Sequence, residues 1–477
     1  MSYRRGTPEQ ESTVIANASG GRHATVNVPE TVQPGRVEVQ DFFEALITTL
    51  HDCLRPGERF TASFNAEDTD FVRMNRGKVR QPGSVSQRYL SVRLIKGARH
   101  AEHVLSLTGI RATDVAAINS TVGALRAALA DLTDDPLLLL PSEVTSTHAV
   151  RGSPLPRAEE VIAQVLAEAR GLDLVGIYAA GPVWRGFANS EGQRNWHETT
   201  TFNLQWSLYH HADKAVKTAH AGFVWDAAAF ARKMTDARER LALIARPAKS
   251  LVPGNYRVFL APAAMEEIAG LLCWGGFSAR ALATRQSPLA RMQDGAALDE
   301  RISLIEDTDG AVAPAFQSQG FARPACVKLI ENGALVGSLV SPRTAREFNL
   351  AENGANGEEM PESLAMNAGA LAAHDVLAAL DTGLAIGNLW YLNYSDRPAC
   401  RMTGMTRFAT FWVEHGKIVA PVDVLRFDDS FYRMFGPNLE ALTAETELLL
   451  DGNTYQSRQL TSLRLPGALV SDLAFTL

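Results

Sequence analysis

Histidines close to acidic residues are the first positions in this sequence that could carry chemistry. His100 and His103 flank Glu102, and His197 directly precedes Glu198. Imidazole and carboxylate groups can hold a metal ion or act as a general base. Residues three apart on a strand point to opposite faces, so we interpret the first group as a surface strand end. We interpret the second group as a turn before a strand.

The other reactive groups give no complete site. His210 and His211 end an alternating strand pattern, where adjacent side chains diverge, and we expect both to be solvated. The motifs GxSxG, GxxxxGK[ST] and GxGxxG are absent, which argues against the commonest hydrolase, nucleotide and dinucleotide sites. No two cysteines are spaced as a zinc or redox pair, so we expect reduced, mostly buried thiols at Cys53, Cys273, Cys326 and Cys400.

Composition limits the classes of partner. The 477 residues are 46% hydrophobic, enough to fill the cores of two or three domains. The formal net charge is −7 and there is no basic block, so we expect no nucleic-acid partner. The polar start of the chain lacks the apolar stretch of a secretory signal, and no run of roughly eighteen apolar residues occurs. We therefore expect a cytoplasmic protein without membrane contact.

Residue periodicity predicts helices and strands in the first half. Apolar residues recur at helical spacing over 41–54. Strand patterns at 60–65, 70–74 and 89–95 are separated by turn formers at 75–77 and 82–83, which predicts an antiparallel meander. Further strands are predicted at 172–178, 199–209 and 214–223, and further helices at 113–132, 157–170 and 225–244. Within 201–208, polar and large apolar residues alternate clearly.

The second half repeats this mixture. A strand is predicted at 256–260, followed by a helix that begins at Pro262, because proline suits the first helical turn. Hairpin turns are predicted at 331–333 and 414–416. The segment 351–362 is rich in Asn, Gly and Glu, which predicts an exposed loop.

Composition and pattern divide the chain into three segments. We expect residues 1–36, which have few large apolar side chains, to be disordered. A Pro-containing, charged stretch at 246–253 is typical of a domain boundary. We therefore predict an N-terminal α+β domain at 37–247 and a C-terminal, β-rich α+β domain at 248–477. The fold class is α+β, with two α/β halves, mostly antiparallel sheets and flanking helices.

Six short segments, taken together in their order along the chain, indicate a protein family. They are Ser91–Lys96, Gly186–Gly192, Pro253–Pro262, Leu329–Gly333, Ser341–Arg346 and Phe411–Val422. Their order and spacing resemble the TldD/PmbA family, once described as modulators of DNA gyrase and now regarded as zinc-dependent peptidases and their paralogues. The resemblance covers residues 40–430 approximately, and the residues after these match poorly. It implies a TldD/PmbA-like fold.

The resemblance also implies a metal site that this sequence lacks. The TldD type carries an HExxxH helix and a later cysteine as ligands, whereas the PmbA (TldE) type lacks them and pairs with it. In HExxxH, two imidazoles hold zinc and a glutamate deprotonates the bound water. Here the corresponding helix is Met265–Leu272, no histidine lies between His220 and His374, and Cys400 is the last cysteine. We assign no catalytic, metal or cofactor-binding residue and expect no cofactor.

These observations predict a subunit of the metal-free PmbA (TldE) type that is inactive alone. The resemblance implies that it dimerises, with itself or with a TldD-type metallopeptidase, and helps bind or enclose unfolded peptide for proteolysis, which the family is expected to capture by strand addition. The alternative is an active zinc-dependent metallopeptidase with ligands drawn from His197, Glu198, His210 or His374. A third hypothesis is a repurposed member in a peptide-modifying pathway. The ligand requirement of zinc sites favours the first.

Overall fold

Two β-sheets and nine α-helices form the part of the chain that the computed structural model describes, residues 36–211 and 214–476. The disorder predicted for residues 1–36 lies outside the described residues, except that Arg36 begins the first helix. The helices are α1 (Arg36–Cys53), α2 (Arg111–Ala128), α3 (Ala158–Glu168), α4 (Ala227–Ile244), α5 (Pro262–Cys273), α6 (Ala279–Ala283), α7 (Pro342–Phe348), α8 (Val376–Leu380) and α9 (Phe431–Met434). Short 3-10 helices span Ala290–Asp294 and Ala373–Asp375.

The described strands divide between a seven-stranded and an eleven-stranded sheet. The first sheet contains β1 (Glu58–Asn75), β2 (Lys78–Lys96), β3 (Arg99–Ser106), β4 (Thr147–Arg151), β5 (Asp173–Asn189), β6 (Arg194–His211) and β7 (Lys214–Gly222). The second contains β8 (Gly254–Leu260), β9 (Leu304–Asp307), β10 (Cys326–Glu331), β11 (Ala334–Leu335), β12 (Ser363–Met366), β13 (Gly383–Asp396), β14 (Arg401–Glu414), β15 (Lys417–Pro421), β16 (Arg426–Ser430), β17 (Leu439–Leu450) and β18 (Ser462–Phe475). Three described pairs are parallel, β4–β6, β8–β13 and β12–β18. The predicted α+β fold with mostly antiparallel sheets is confirmed.

Alternation along the strands gives the first sheet an apolar face and a polar face. On β6, Phe202, Leu204 and Trp206 are buried in the core that helices α3 and α4 share. Helices α1 and α2 enclose a second core with β1 and β2. The polar residues between the apolar ones are also buried, with Thr201 1% and Asn203 9% exposed. They are buried because the second half of the chain packs against this face and bonds to it.

Two-residue turns connect three of the hairpins. The predicted turns at 75–77, 331–333 and 414–416 are confirmed, and each has positive φ at both central residues, which is the geometry that suits the twist of paired strands. The central pairs are Arg76-Gly77, Asn332-Gly333 and His415-Gly416.

The turn predicted at Pro82-Gly83 is wrong. Strand β2 runs straight through these residues, and Pro82 pairs with Val72 of β1. On its other side β2 pairs with β3 only at 89–96. Pro82 therefore lies on a sheet edge, where the missing N–H removes no ladder hydrogen bond.

The second sheet closes on itself around a large core. Its strand order is β11-β10-β9-β12-β18-β16-β14-β13-β8, and β8 also pairs with β18. The five strands β18, β16, β14, β13 and β8 therefore form a closed ring. Helix α5 packs against it, and the shared core includes Leu260, Ile268, Leu384, Phe427 and Leu465.

The two sheets are joined through buried contacts. Arg151 of β4 donates to the backbone oxygens of Asp309 (2.8 Å) and Ala311 (2.7 Å). An apolar cluster joins Val183 of β5 to residues 311–313 and to Leu450. The division into domains at 247/248 stays a prediction. Among the described residues, no helix is long and apolar enough to cross a membrane.

Candidate functional site: a cleft between the two sheets

A cleft of about 470 Å³ lies between the first sheet, helix α5 and the last two strands. The first sheet contributes Gln205 of β6 and Lys217 of β7, and α5 contributes Glu266 and Glu267. The other walls include Leu271, Trp274, Leu392, Leu449, Asp451 and Ser462. Both halves of the chain therefore build the site.

Helix α5 turns one face to the core and another to the cleft. It begins at Pro262 as predicted, in the first-turn position where the missing N–H costs nothing. Met265 and Ile268 are buried in the core, and Gly270 is exposed on the cleft side. The absence of a side chain at Gly270 leaves this part of the cleft open, since a Cβ there would meet no atom within 4 Å.

The two glutamates of α5 are half-buried. Among the residues that the structure describes, neither carboxylate makes a hydrogen bond or an ion pair. Burial raises the pKa of Glu266 to about 7; Lys217 opposes this rise, and nearby carboxylates, Glu267 first, add to it. Burial also raises the pKa of Glu267, again against Lys217. The cleft therefore holds acidic groups whose charged forms are poorly stabilised.

The wall after β17 is anchored on the first sheet. Arg458 donates to the backbone oxygens of Gly181 (2.9 Å) and Thr201 (3.0 Å), and its own N–H donates to Glu67 Oε2 (3.2 Å). Asn203 Nδ2 donates to the backbone oxygen of Leu450 (3.1 Å). These bonds hold Asp451 at the edge of the cleft.

A loop with two buried anchors forms another wall. Glu359 is fully buried and accepts hydrogen bonds from Ser278 Oγ (2.5 Å) and from the N–H groups of Arg280 (3.0 Å) and Ser341 (2.9 Å). The prediction that 351–362 is an exposed loop is therefore wrong in part. It has no helix or strand, but the buried Glu359 holds it in place.

A buried ion-pair network forms the second anchor of this loop. Arg323, 8% exposed, bonds to Glu306 and donates to Glu362 Oε2 (2.9 Å). Glu306 also accepts from the N–H groups of Glu362 (3.0 Å) and Ser363 (3.1 Å). Together the two anchors position Met360 and Pro361, which line the cleft.

The structure places the predicted histidine groups away from the cleft lining. His100 Nε2 lies 3.2 Å from Asp135, and His103 is exposed. His197 lies inside strand β6, which corrects the predicted turn; it is 1% exposed and bonds to the backbone oxygen of Val312 (2.9 Å). Burial lowers its pKa to about 4. His210 is exposed at a strand end, as its pattern predicted.

The residues of the cleft do not fit a zinc site. Protein zinc sites use at least three ligands from imidazole, thiolate and carboxylate groups. Among the described residues, no group of three or more His, Cys, Asp and Glu could hold a metal ion. This includes His197, Glu198, His210 and His374, which were the candidate substitute ligands. Cys273 lines the cleft, but burial raises the pKa of its thiol to about 12.

Sequence reasoning missed most of the cleft. Glu266 and Glu267 were considered only as part of the helix 265–272 that lacks the imidazole ligands, while Gln205, Lys217 and Ser462 were not singled out. The alternation over 201–208 was the available signal, because it gave β6 a polar face that includes Gln205. Cys326 is exposed and Cys53 is partly exposed, so mostly buried thiols are found only at Cys273 and Cys400.

Comparisons with known proteins agree with this architecture. The family profile for the PmbA/TldA metallopeptidase C-terminal domain matches residues 253–477, and so extends beyond the expected end of the resemblance near residue 430. No curated protein sequence gives a significant match.

Solved structures match nearly the whole fold. A candidate modulator of a DNA gyrase from Thermotoga maritima has a TM-score of 0.71 at 13% identity, covering 92% of this chain and 100% of that one. TldE from Thermococcus kodakarensis has a TM-score of 0.71 at 14% identity, covering 91% and 100%. A candidate modulator of DNA gyrase from Bacteroides thetaiotaomicron has a TM-score of 0.69 at 14% identity, covering 93% and 99%. Residues 253–477 therefore match the PmbA/TldA metallopeptidase family, and nearly the whole chain shares the fold of these solved structures.

Proposed function

We propose that the chain is a non-catalytic subunit that holds unfolded peptide in the cleft between its two sheets. One observation carries the proposal: the cleft is open, yet α5 directs the carboxylates of Glu266 and Glu267 into it and no imidazole. A zinc peptidase of the HExxxH kind needs two imidazoles on that helix to hold its metal and activate water. The site therefore favours binding over hydrolysis.

Unpaired strand edges beside the cleft support peptide capture by strand addition. Among the described strands, β7 pairs only with β6, and β17 pairs only with β18. Residues 369–371 bond to the outer edge of β17 at 442–444, so the open part of this edge is the stretch that contains Leu449. Lys217 of β7 and Leu449 of β17 both line the cleft. An extended peptide could bond to such an edge through its main chain, which gives affinity that depends little on sequence.

Assembly with a second subunit is part of the proposal. Trp390 and Tyr391 of β13 are 45% and 74% exposed, and Tyr391 has a φ of 60°, a conformation that aromatic residues rarely adopt. Exposed aromatic residues of this kind are enriched in protein interfaces. We propose a homodimer or a heterodimer with a TldD-type chain, which the molar mass in solution tests. Location in the cytoplasm also stays a prediction.

Filling the cleft tests whether it binds peptide. The change is Gly270→Phe, because Gly270 faces the cleft with no atom within 4 Å of its Cβ position. The full chain is titrated into a fluorescein-labelled peptide that lacks secondary structure, and binding is read as fluorescence anisotropy. We expect saturable binding to the native chain and at least about tenfold weaker binding to the variant, since the phenyl ring occupies the peptide's space.

Gly123→Phe is the matched control. Gly123 is an exposed glycine of helix α2, it also has no atom near its Cβ position, and it lies outside the cleft. We expect it to leave peptide binding unchanged. Equal binding by both variants would contradict the proposed site. Chelator-sensitive cleavage of the peptide by the isolated chain, with about one tightly held zinc per chain, would contradict the non-catalytic role.

A further inference from the structure

The charges that line the cleft are unbalanced. In the described part of the chain, the cleft lining contains three carboxylates, Glu266, Glu267 and Asp451, and one cation, Lys217. Glu447 lies close enough to influence Glu266, but it is paired with Lys233 of α4. One ammonium group cannot neutralise three carboxylates, so the cleft keeps an excess of negative charge.

The cleft wall also contains a buried serine whose hydroxyl has no partner among the described residues. Ser462 is only 5% exposed and lines the cleft, and its side chain makes no hydrogen bond to a residue that the structure describes. In an adjoining small pocket, which shares Gln205 and Asp451 with the cleft, the side-chain oxygen of Asn203 is buried and likewise has no hydrogen-bond partner among these residues. Buried polar groups are normally paired, and each exception calls for a missing partner such as a ligand. Here the open groups include acceptors, which fit a hydrogen-bond donor.

Apolar side chains lie beside these acidic groups. Leu271 and Leu449 line the same cleft, and so does Trp274, which is 59% exposed. Lysine and arginine side chains combine a long aliphatic stem with a charged, donating head, and they bury the stem against apolar surface. The combination of leucines, carboxylates and an open hydroxyl matches both parts of such a side chain.

We propose that the cleft selects peptide segments that present a lysine or arginine, whose aliphatic stem lies on Leu271 and Leu449 and whose cationic head is received by Glu266, Glu267 and Ser462. This inference rests on the proposed function and adds the substrate class to it. The bound cation would supply the partner that the two glutamates lack in the free protein.

Matched peptides test the preference for a basic side chain. Two labelled, unstructured peptides with blocked termini are used, identical except that lysine in one is glutamine in the other. Binding to the full chain is measured by fluorescence anisotropy at pH 8 and low salt. We expect the lysine peptide to bind about tenfold more tightly, since a partly desolvated ion pair contributes on the order of one factor of ten.

A double variant shows whether the preference comes from α5. In Glu266→Gln with Glu267→Gln, we expect the ratio of the two affinities to fall to about one. The control, Glu159→Gln with Glu160→Gln, alters two adjacent, exposed glutamates of helix α3 and should keep the full ratio. Circular dichroism of both double variants verifies that they fold.

The outcomes separate the inference from the function on which it rests. Equal binding of the lysine and glutamine peptides by the native chain would overturn the inference and leave peptide holding intact. An unchanged ratio in the α5 variant would also overturn it, because the selectivity would then arise elsewhere. Failure to bind either peptide would overturn both.

Discussion

Two glutamates in the second half of the chain, the buried Glu359 and the half-buried Glu266, have opposite surroundings. Glu359 receives hydrogen bonds from a hydroxyl and two backbone N–H groups, and these lower its pKa although burial acts in the other direction. Glu266 receives none from the residues that the structure describes, and burial raises its pKa to about 7. The difference separates carboxylates that stabilise the fold through hydrogen bonds from carboxylates that lack hydrogen-bond partners among the described residues. The carboxylate of Glu359 has its lone pairs satisfied and holds a loop in place, whereas that of Glu266 has open lone pairs and lines the cleft.

The largest effect should come from breaking a satisfied network. Arg323→Met removes the cation that Glu306 and Glu362 share and leaves Glu306, 3% exposed, without its ionic partner. Removing one member of a buried ion pair costs about 3–5 kcal/mol, because the remaining charge stays desolvated. The free energy of unfolding, measured in urea, should fall by this amount.

An exposed arginine provides the comparison for that loss. Arg343 pairs with Asp135, but its side chain is 60% exposed. Arg343→Met should lower the free energy of unfolding by no more than about 1 kcal/mol, since solvent screens such a pair. Similar losses for both variants would show that the Arg323 network is not the stabilising element inferred here.

Removing the charge of Glu266, which has no hydrogen-bond partner among the described residues, should stabilise the fold instead. In the folded chain the pKa of Glu266 is about 7, against an ordinary value of 4.5, so the folded state binds this proton more tightly than the unfolded state does. Stability therefore falls as pH rises from 4.5 to 7 and stays reduced above that range. Glu266→Gln removes the cost and should raise the free energy of unfolding at pH 8 by about 2–3 kcal/mol.

The pH dependence of that gain is the sharper part of the prediction. At pH 4, Glu266 is protonated in both states, so the variant should gain almost nothing there. Urea unfolding at pH 4, 6 and 8 measures this difference. Glu159→Gln, at an exposed position of helix α3, should change stability by less than about 0.5 kcal/mol at each pH. A gain for Glu266→Gln that is independent of pH would reject ionisation as its cause.

Local chemistry predicted much of the fold. The turn at Asn332-Gly333 and the helix start at Pro262 follow from backbone preferences that a few neighbouring residues determine. The turn prediction at Pro82-Gly83 was wrong because the same residues suit a turn or a strand edge, and only the position of β3 decides between them. The prediction of an exposed loop was wrong at Glu359, because nothing near it in sequence shows that Ser278 and Ser341 would bond to it.

The cleft was beyond this kind of prediction for a related reason. Gln205, Glu266 and Ser462 lie far apart in the chain and meet only because the polar face of the first sheet packs on the second half. A polar strand face usually predicts contact with water. Here Thr201 and Asn203 on that face are buried instead. The sequence did show that α5 contains no histidine, because the residues of one helix can be read without knowing which strands pack against it.

The smallest expected effect concerns Gly270, a residue of the cleft that lowers the stability of helix α5. Gly270 lies within α5, where glycine is less favourable than alanine by about 0.5–1 kcal/mol. Gly270→Ala should raise the free energy of unfolding by that amount, because the added methyl group meets no atom within 4 Å. Gly123→Ala in α2 should give the same gain for the same reason. If urea unfolding shows that only the Gly123 variant gains, the space beside Gly270 is not open, and the comparison between satisfied and open regions fails at this position.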